Sequence, residues 1–414
     1  MTTVKDSVHD HIEVTGVAAA LMDTPPVQRL RRIAQLGTAS LVYPSANHTR
    51  FEHSLGVYHL ADRALSHLDV HGRRAETVRA AAILHDVGHG PFSHNVEDLL
   101  YRRTGKYHDD VGDIVGEGAV ARALEAHEID PGRVEALIDG EGLLGQLIAG
   151  ELDVDRMDYL VRDAHHTGVP YGTIDHGRLI RALRFVEGDL VLDEGNVQSA
   201  ESLLLARALM NPTVYNHHVA RISKAMLRRA TATLVDETAV TAAEVRRMDD
   251  AELVVALRGH DATADAGSRL ADRRLYKRAV WAEMGDVGDP LAADLYAVPP
   301  ERIAEYERTI ADRADVDPAS VIVDVQGAPD VAESTSRVLV NGEVRRLDEQ
   351  STLVRAIQMT QREQWRLGVY APERETSRVG RAAESVLGLE TEGALIAEND
   401  SPGRYASLAD FTDD

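Results

Sequence analysis

The chain has 414 residues, with 45 Lys and Arg against 68 Asp and Glu for a formal net charge of −23, 44% hydrophobic and 4% aromatic residues, and no cysteine. It is too apolar to be disordered, too acidic to coat nucleic-acid phosphates unaided, and long enough for two domains. Disulfide scaffolds, thiolate zinc sites and cysteine nucleophiles are excluded, so any metal must rest on histidine and carboxylate.

The start, MTTVKDSVHDHIEV, has no basic segment leading into an apolar run, and no stretch approaches the roughly 20 consecutive apolar residues that span a bilayer. A cytoplasmic protein without a membrane partner is expected. Lys5, Lys106, Lys224 and Lys277 are the only lysines, and an arginine-rich basic set beneath an acidic excess suggests a salt-adapted, halophilic-like surface. Net charge says little about a buried pocket. An Arg-lined anion site therefore stays open, and nucleic-acid binding is not favoured.

In chain order, Thr24-Pro25 marks a helix start and Gly37 a stop, with Val27, Leu30, Ile33 and Ala34 as the apolar stripe between them. Helical patterns follow from Phe51 to about Leu68, Ala75 to Gly88, Asp109 to Ala126, Leu143 to His166, and Asn196 to about Val235. From about Asp286 glycine and proline break the pattern. Ser320–Gln326 and Arg337–Leu347 are β-branched, the second around an Asn-Gly turn, so strands or a hairpin are predicted there. A helix from Thr352 to about Leu367 follows, and a loose acidic tail begins at Glu398. The domain expectation is a helical region over 1–285, a mixed α+β lobe over 286–397 and a tail over 398–414. Seventeen of the 18 histidines fall within residues 1–218, which places the chemistry in the first half.

The densest motif is ILHDVGHGPFSH, where an apolar helix delivers His85, Asp86, His89 and His94 and then stops. His85 and His89 share a helix face at chelating spacing. Asp86 stands where a zinc-protease motif carries glutamate, so that reading fails and Asp86 becomes a candidate ligand. Gly88, Gly90 and Pro91 end the helix and free His94 to turn toward a bound group. Upstream, Arg50-Phe51-Glu52-His53 sets a guanidinium and an imidazole about one turn apart, a weak signal alone. In ELDVDRMDYL, at about 100° per residue from Asp155, the residues Tyr159, Arg162, Asp163 and His166 fall within about 80° of it. Asp153 projects at about 160°, among Met157, Leu160 and Ala164, so Asp155 is the carboxylate presented to a site. A solvated amphipathic helix is the plain alternative for this segment.

His53, the His85-Asp86 pair and Asp155, in that order, resemble the HD-domain metal-dependent phosphohydrolases. The strings QRLRRIAQLGTASLVYPSANHTRFEHSLGV, ILHDVGHGPFSH and ELDVDRMDYLVRDAHHTG are similar to the dNTP triphosphohydrolase branch, over about Asp23 to His217. The fold implied is mainly α, an HD-domain helical core with a smaller C-terminal α+β lobe. The resemblance implies that His53, His85, Asp86 and Asp155 ligate one divalent ion, with Mn, Fe, Mg, Ni and Zn all compatible with mixed N/O donors. It implies that Arg50 holds a phosphate, that His89 and His94 line the phosphate path, and that His108 is a general acid or phosphate-orienting group with Glu97 as an acidic partner. It places Gln35 and Leu36 against the sugar, Tyr159 and Asp163 around the deoxyribose, and Arg207, Tyr215 and His217 on the triphosphate and base side.

Asn211 departs from the branch, which often has histidine there. The regulatory nucleotide-binding segment of activated members is not recognised, and allosteric activation is not expected. The activity implied is cleavage of a (deoxy)nucleoside 5′-triphosphate to nucleoside and inorganic triphosphate, by a homo-oligomer. The alternatives are an HD hydrolase of another phosphoester (a signalling nucleotide, a nucleoside monophosphate or single-stranded nucleic acid), or a non-catalytic regulatory nucleotide-binding protein.

Overall fold

The computed structural model describes residues 2–287, Leu295, 298–327 and 336–389. The chain opens with an antiparallel hairpin of β1 (Thr2–Asp6) and β2 (Asp10–Val14), paired from Thr2–Val14 to Asp6–Asp10. Ile12 and Val14 are fully buried and anchor it. Asp6 Oδ1 accepts the N–H groups of Val8 (2.9 Å) and His9 (2.7 Å) and closes the tip. No strand is among the expectations here, since no Asn-Gly marks the reversal, although Thr2, Thr3, Val4, Ile12 and Val14 are β-branched.

The helical core follows. α1 (Arg50–His67) starts at a capping box in which the Thr49 N–H donates to Glu52 Oε2 at 2.7 Å. It packs on α2 (Gly72–Leu84), whose run of Ala80, Ala81 and Ala82 allows close approach. α3 (Glu97–Thr104), α4 (Val154–Thr167), α5 (His176–Ala182), α6 (Val197–Met210), α7 (His218–Glu237) and α8 (Asp250–Gly259) complete the elements that matter for the site. α4 lies so close to α1 that a Cβ on Gly56 would sit 1.9 Å from Asp158 Oδ1.

Three long predicted helices are broken where the backbone demands it. The 109–126 segment splits at Gly116–Gly118 into Gly112–Val115 and Gly118–Ala126, with Gly118 at φ +65°. The 143–166 segment forms Gly142–Gly145 and then, after a gap, α4. The 196–235 segment breaks at Pro212, where a π-turn over Asn211–Tyr215 separates α6 from α7.

Further strands are β3 (Leu183–Val186), β4 (Asp189–Leu192), β5 (Lys277–Glu283), β6 (Ile322–Val325), β7 (Arg337–Val340), β8 (Glu343–Arg346) and β9 (Arg366–Ala371). One sheet runs β3-β4-β7-β8 and another β5-β9-β6. β7 and β8 form the hairpin predicted around Asn341-Gly342, and Leu192 of β4 pairs in parallel with Val338 of β7. The chain thus divides into Met1–Arg274 with Asp330–Gln361, and Leu275–Pro329 with Arg362–Asp414.

This differs from a single cut after residue 285. β7 pairs with β4, and Val338, Leu347 and Val354 of the 336–361 segment are buried in the helical core, whereas β5 begins the other unit. That second unit closes Val280, Ile310, Val323, Leu367 and Val379 into its own core. The helix predicted to reach Leu367 ends at Glu363, and the buried run RLGVYA becomes β9 instead. The 398–414 tail lies outside the described residues. The fold is mainly helical, with a smaller α+β part toward the C-terminus, and no helix among the described residues is long and apolar enough to cross a membrane.

Candidate metal centre and its neighbours

α1 supplies His53, the end of α2 leads into His85 and Asp86, and the first turn of α4 supplies Asp155. His53 Nε2 lies 2.7 Å from Asp155 Oδ1 and 3.7 Å from Asp86 Oδ2. His85 Nε2 lies 3.3 Å from His53 Nε2, 3.5 Å from Asp86 Oδ1 and 3.7 Å from Asp155 Oδ1. The two rings cross at 75°. Their far nitrogens are occupied, His53 Nδ1 by Asp158 Oδ2 at 2.8 Å and His85 Nδ1 by the Ala82 carbonyl at 2.9 Å, which turns both Nε2 atoms inward. His53, His85 and Asp86 offer donor atoms within 4.8 Å of one another, and Asp155, set against both imidazoles, adds a second carboxylate to a donor chemistry that fits a divalent cation.

The electrostatics agree. Burial disfavours charge on His53, yet the bonds to Asp155 and Asp158 and the charge of Asp86 push it up to about 10. Burial likewise opposes the Asp155 and Asp86 charges, but His53 and His85 hold Asp155, and Arg50 and His85 hold Asp86, well below the usual carboxylate range. Surroundings that protonate a buried imidazole also favour a cation at the same centre. Arg50 is buried and holds Asp86, its Nη1 lying 3.1 and 3.0 Å from the two carboxylate oxygens, while its Nε donates to Ser93 Oγ at 2.8 Å. Asp153 instead caps α4, accepting the Arg156 N–H at 2.7 Å and pairing with the Arg156 guanidinium. Its side chain is 2% exposed against 32% for Asp155, and burial pushes it up to about 7.

Beside this centre stand His89, His94, Glu97 and His108. Glu97 bridges the exposed His94 and the half-buried His108, with Oε2 2.6 Å from His94 Nδ1 and Oε1 2.5 Å from His108 Nδ1. The donor atoms of these four residues all lie within 4.8 Å of one another, close enough for a metal by distance alone. Ring orientation argues otherwise. His89 and His108 stack 4.1 Å apart at an interplanar angle of 7°, so their in-plane lone pairs cannot meet at one ion. Proton handling fits better. Burial opposes charge on His108, but the Glu97 bond and charge override it and raise His108 above its usual range, while burial and the Arg50 charge push His89 well below. His89 is 1% exposed and neither ring nitrogen has a hydrogen-bond partner, Nε2 lying 3.3 Å from Asp86 Oδ1 without hydrogen-bond alignment. Gly88 permits the approach of the 108 segment, since a Cβ there would meet the His108 carbonyl at 2.0 Å.

On the substrate side, Tyr159 and Tyr215 meet edge to face with ring centroids 6.2 Å apart, and the Tyr215 hydroxyl donates to Asp163 Oδ2 at 2.9 Å. Burial, eased by Arg207 and Arg156, pushes Tyr159 up to about 12. Asp163 is buried, with its other oxygen 2.8 Å from His48 Nε2, and His217 caps α7 by accepting the Val219 N–H at 3.2 Å. Gln35 is buried with Oε1 lacking a hydrogen-bond partner, and Leu36 packs against the core. Sequence reasoning misses the supports. Asp158 and Arg162 are fully buried beneath His53, and Asp250 accepts the Phe92 and Ala34 N–H groups at 2.6 and 2.9 Å, holding the turn that carries Ser93. The i, i+4 spacing of Asp158 and Arg162 in α4 is the signal that could have found the first pair.

An HD domain family model matches residues 50–163, and a model of the HD associated region matches 174–398. An uncharacterised Methanocaldococcus jannaschii protein, MJ1154, is 31% identical over 379 residues, covering 90% of this chain and 80% of its own. The human deoxynucleoside triphosphate triphosphohydrolase SAMHD1 is 29% identical over 276 residues, which is 56% of this chain and only 44% of SAMHD1. A solved Bacteroides thetaiotaomicron phosphohydrolase superposes with a TM-score of 0.72 at 25% identity, covering 90% of this chain and all of its own. The chain therefore belongs to the HD-domain phosphohydrolase superfamily, near its dNTP triphosphohydrolase branch.

Proposed function

We propose that the protein is a metal-dependent hydrolase of (deoxy)nucleoside 5′-triphosphates, releasing nucleoside and inorganic triphosphate. The observation that carries this reading is the convergence of His53, His85, Asp86 and Asp155 beside a Glu97-bridged histidine group. The similarity to SAMHD1 supplies the substrate class. In this reading those four residues hold a divalent ion, which supplies Lewis acidity toward the α-phosphate and makes nearby water more acidic.

The chain's own groups do the rest. Arg50 keeps Asp86 in place and adds positive charge at the phosphate end. Water attacks the α-phosphorus and releases a proton to solvent, the bond to O5′ breaks, and His108, whose protonated form Glu97 favours, gives its proton to the departing oxygen. His89 and His94 line the phosphate path. Gln35, with its buried free acceptor, and Leu36 face the sugar, Tyr159 and Asp163 close around it, and Arg207, Tyr215 and His217 serve the base and triphosphate side. The test is product identity: each dNTP incubated with metal-loaded protein is expected to yield nucleoside and triphosphate. Mono- or diphosphate products would assign another phosphoester, and retained, unhydrolysed nucleotide would assign a binding protein.

A further inference from the structure

The N-terminal hairpin reaches a buried carboxylate that also serves the metal centre. His9 Nε2 lies 2.6 Å from Asp158 Oδ1, with the two side chains 2% and 0% exposed. The other oxygen, Oδ2, lies 2.8 Å from His53 Nδ1. Arg162 spans both oxygens, its Nε donating to Oδ2 at 2.9 Å and its Nη2 to Oδ1 at 3.0 Å. A carboxylate has about four acceptor positions, and here each oxygen faces two partners, so none is spare. The same guanidinium reaches the hairpin, with Nη1 donating to Asp6 Oδ2 at 2.8 Å, and Asp6 itself holds the His9 N–H. The His9 ring packs against His59 and His176 at 5.1 and 5.3 Å.

We propose that His9 is a positioning residue for His53, acting through Asp158, so that docking of the hairpin tip sets how tightly the centre holds its cation. The inference rests on the reading of His53 as a metal ligand. Removing the His9 donor leaves one face of a fully buried carboxylate unmatched, and Asp158 can then rotate away from His53 Nδ1. The imidazole loses the partner that fixes its orientation, and outer-shell partners of this kind govern metal affinity by roughly 10–100-fold.

The experiment uses the full chain, stripped and reloaded with Zn²⁺, and reads affinity by chelator competition and thermal midpoint side by side. His9→Ala and His9→Phe, the latter keeping a ring between His59 and His176, are both expected to weaken Zn²⁺ by roughly tenfold, the low end of that range. His9→Gln, whose amide N–H can reach Oδ1, is expected to restore most of the loss. In an Asp158→Asn background His9→Phe is expected to change nothing further. A lowered thermal midpoint with wild-type affinity, or the same tenfold loss in the Asp158→Asn background, overturns the proposal. If His53→Ala binds Zn²⁺ as the wild type does, the reading of the centre fails and takes this inference with it. A His53-dependent site indifferent to His9 removes the inference alone.

Discussion

Two histidine groups stand side by side, one drawn from α1, α2 and α4 and the other from the segment after α2, α3 and the loop beyond it. They use the same residue types and differ in how the rings are held. In the first, the rings of His53 and His85 cross at 75° and their Nδ1 atoms are engaged behind them, so two lone pairs converge. In the second, His89 and His108 stack at 7° and Glu97 takes an Nδ1 from both His94 and His108. Distance alone would make both groups metal sites. In the proposed reading, the orientation fixed by neighbouring acceptors makes the first group suited to a cation and the second to protons.

The largest expected effect breaks the first group and leaves the second intact. His85→Ala and Asp86→Ala each remove a donor, and in the Asp86 variant the buried Arg50 also loses its carboxylate partner. Both are expected to lose bound metal and to lose turnover by three orders of magnitude or more, about 4 kcal/mol in the barrier. His108→Ala is expected to keep wild-type metal content while turnover falls by roughly 10²–10⁴. Elemental analysis beside dNTP turnover checks the pair, and metal lost from His108→Ala would erase the distinction between the groups.

A smaller effect sharpens it through pH. As pH rises, a general acid is lost when it deprotonates, and Glu97 raises His108 above the ordinary 6.5, so the acid form persists to higher pH. Glu97→Gln removes the negative charge that opposes burial. The His108 pKa falls, and the basic limb of the kcat profile is expected to move to lower pH, with metal content unchanged. A limb that stays in place assigns the proton to another group.

What was legible in the sequence follows the same division. His53, His85, Asp86 and Asp155 were legible through the resemblance of their motifs to the HD-domain phosphohydrolases, with helix spacing choosing only Asp155 over Asp153. His85 and Asp86 lie just past the end of α2 at Leu84, and the three segments bring the four side chains against one another. The partners that orient them are distant in sequence and chemically plain. Asp158 reads as one more acid on a polar helix face until the His9 hairpin, 149 residues away, is seen against it. The second unit escaped a linear cut because β7 returns to β4, a pairing that local periodicity cannot express. β9 was hidden inside an apolar stretch equally compatible with the end of a helix.

The smallest effect concerns two aspartates in the same turn. Asp153 is buried and caps α4 through the Arg156 N–H, whereas Asp155, two residues on, lies 2.7 Å from His53 Nε2. Asp155→Ala deletes a donor from the centre, so turnover and metal binding are expected to fall together. Asp153→Ala removes a cap worth about 1 kcal/mol, while the Arg156 guanidinium keeps its bond to the Gly150 carbonyl. It is expected to lower the thermal midpoint by a few degrees while retaining more activity than Asp155→Ala. The cap acts on where α4 begins, and the ligand acts on what α4 presents. Equal losses of activity would mean that the first turn of α4 is held in place chiefly by its cap, so that presenting Asp155 and starting the helix are one structural event.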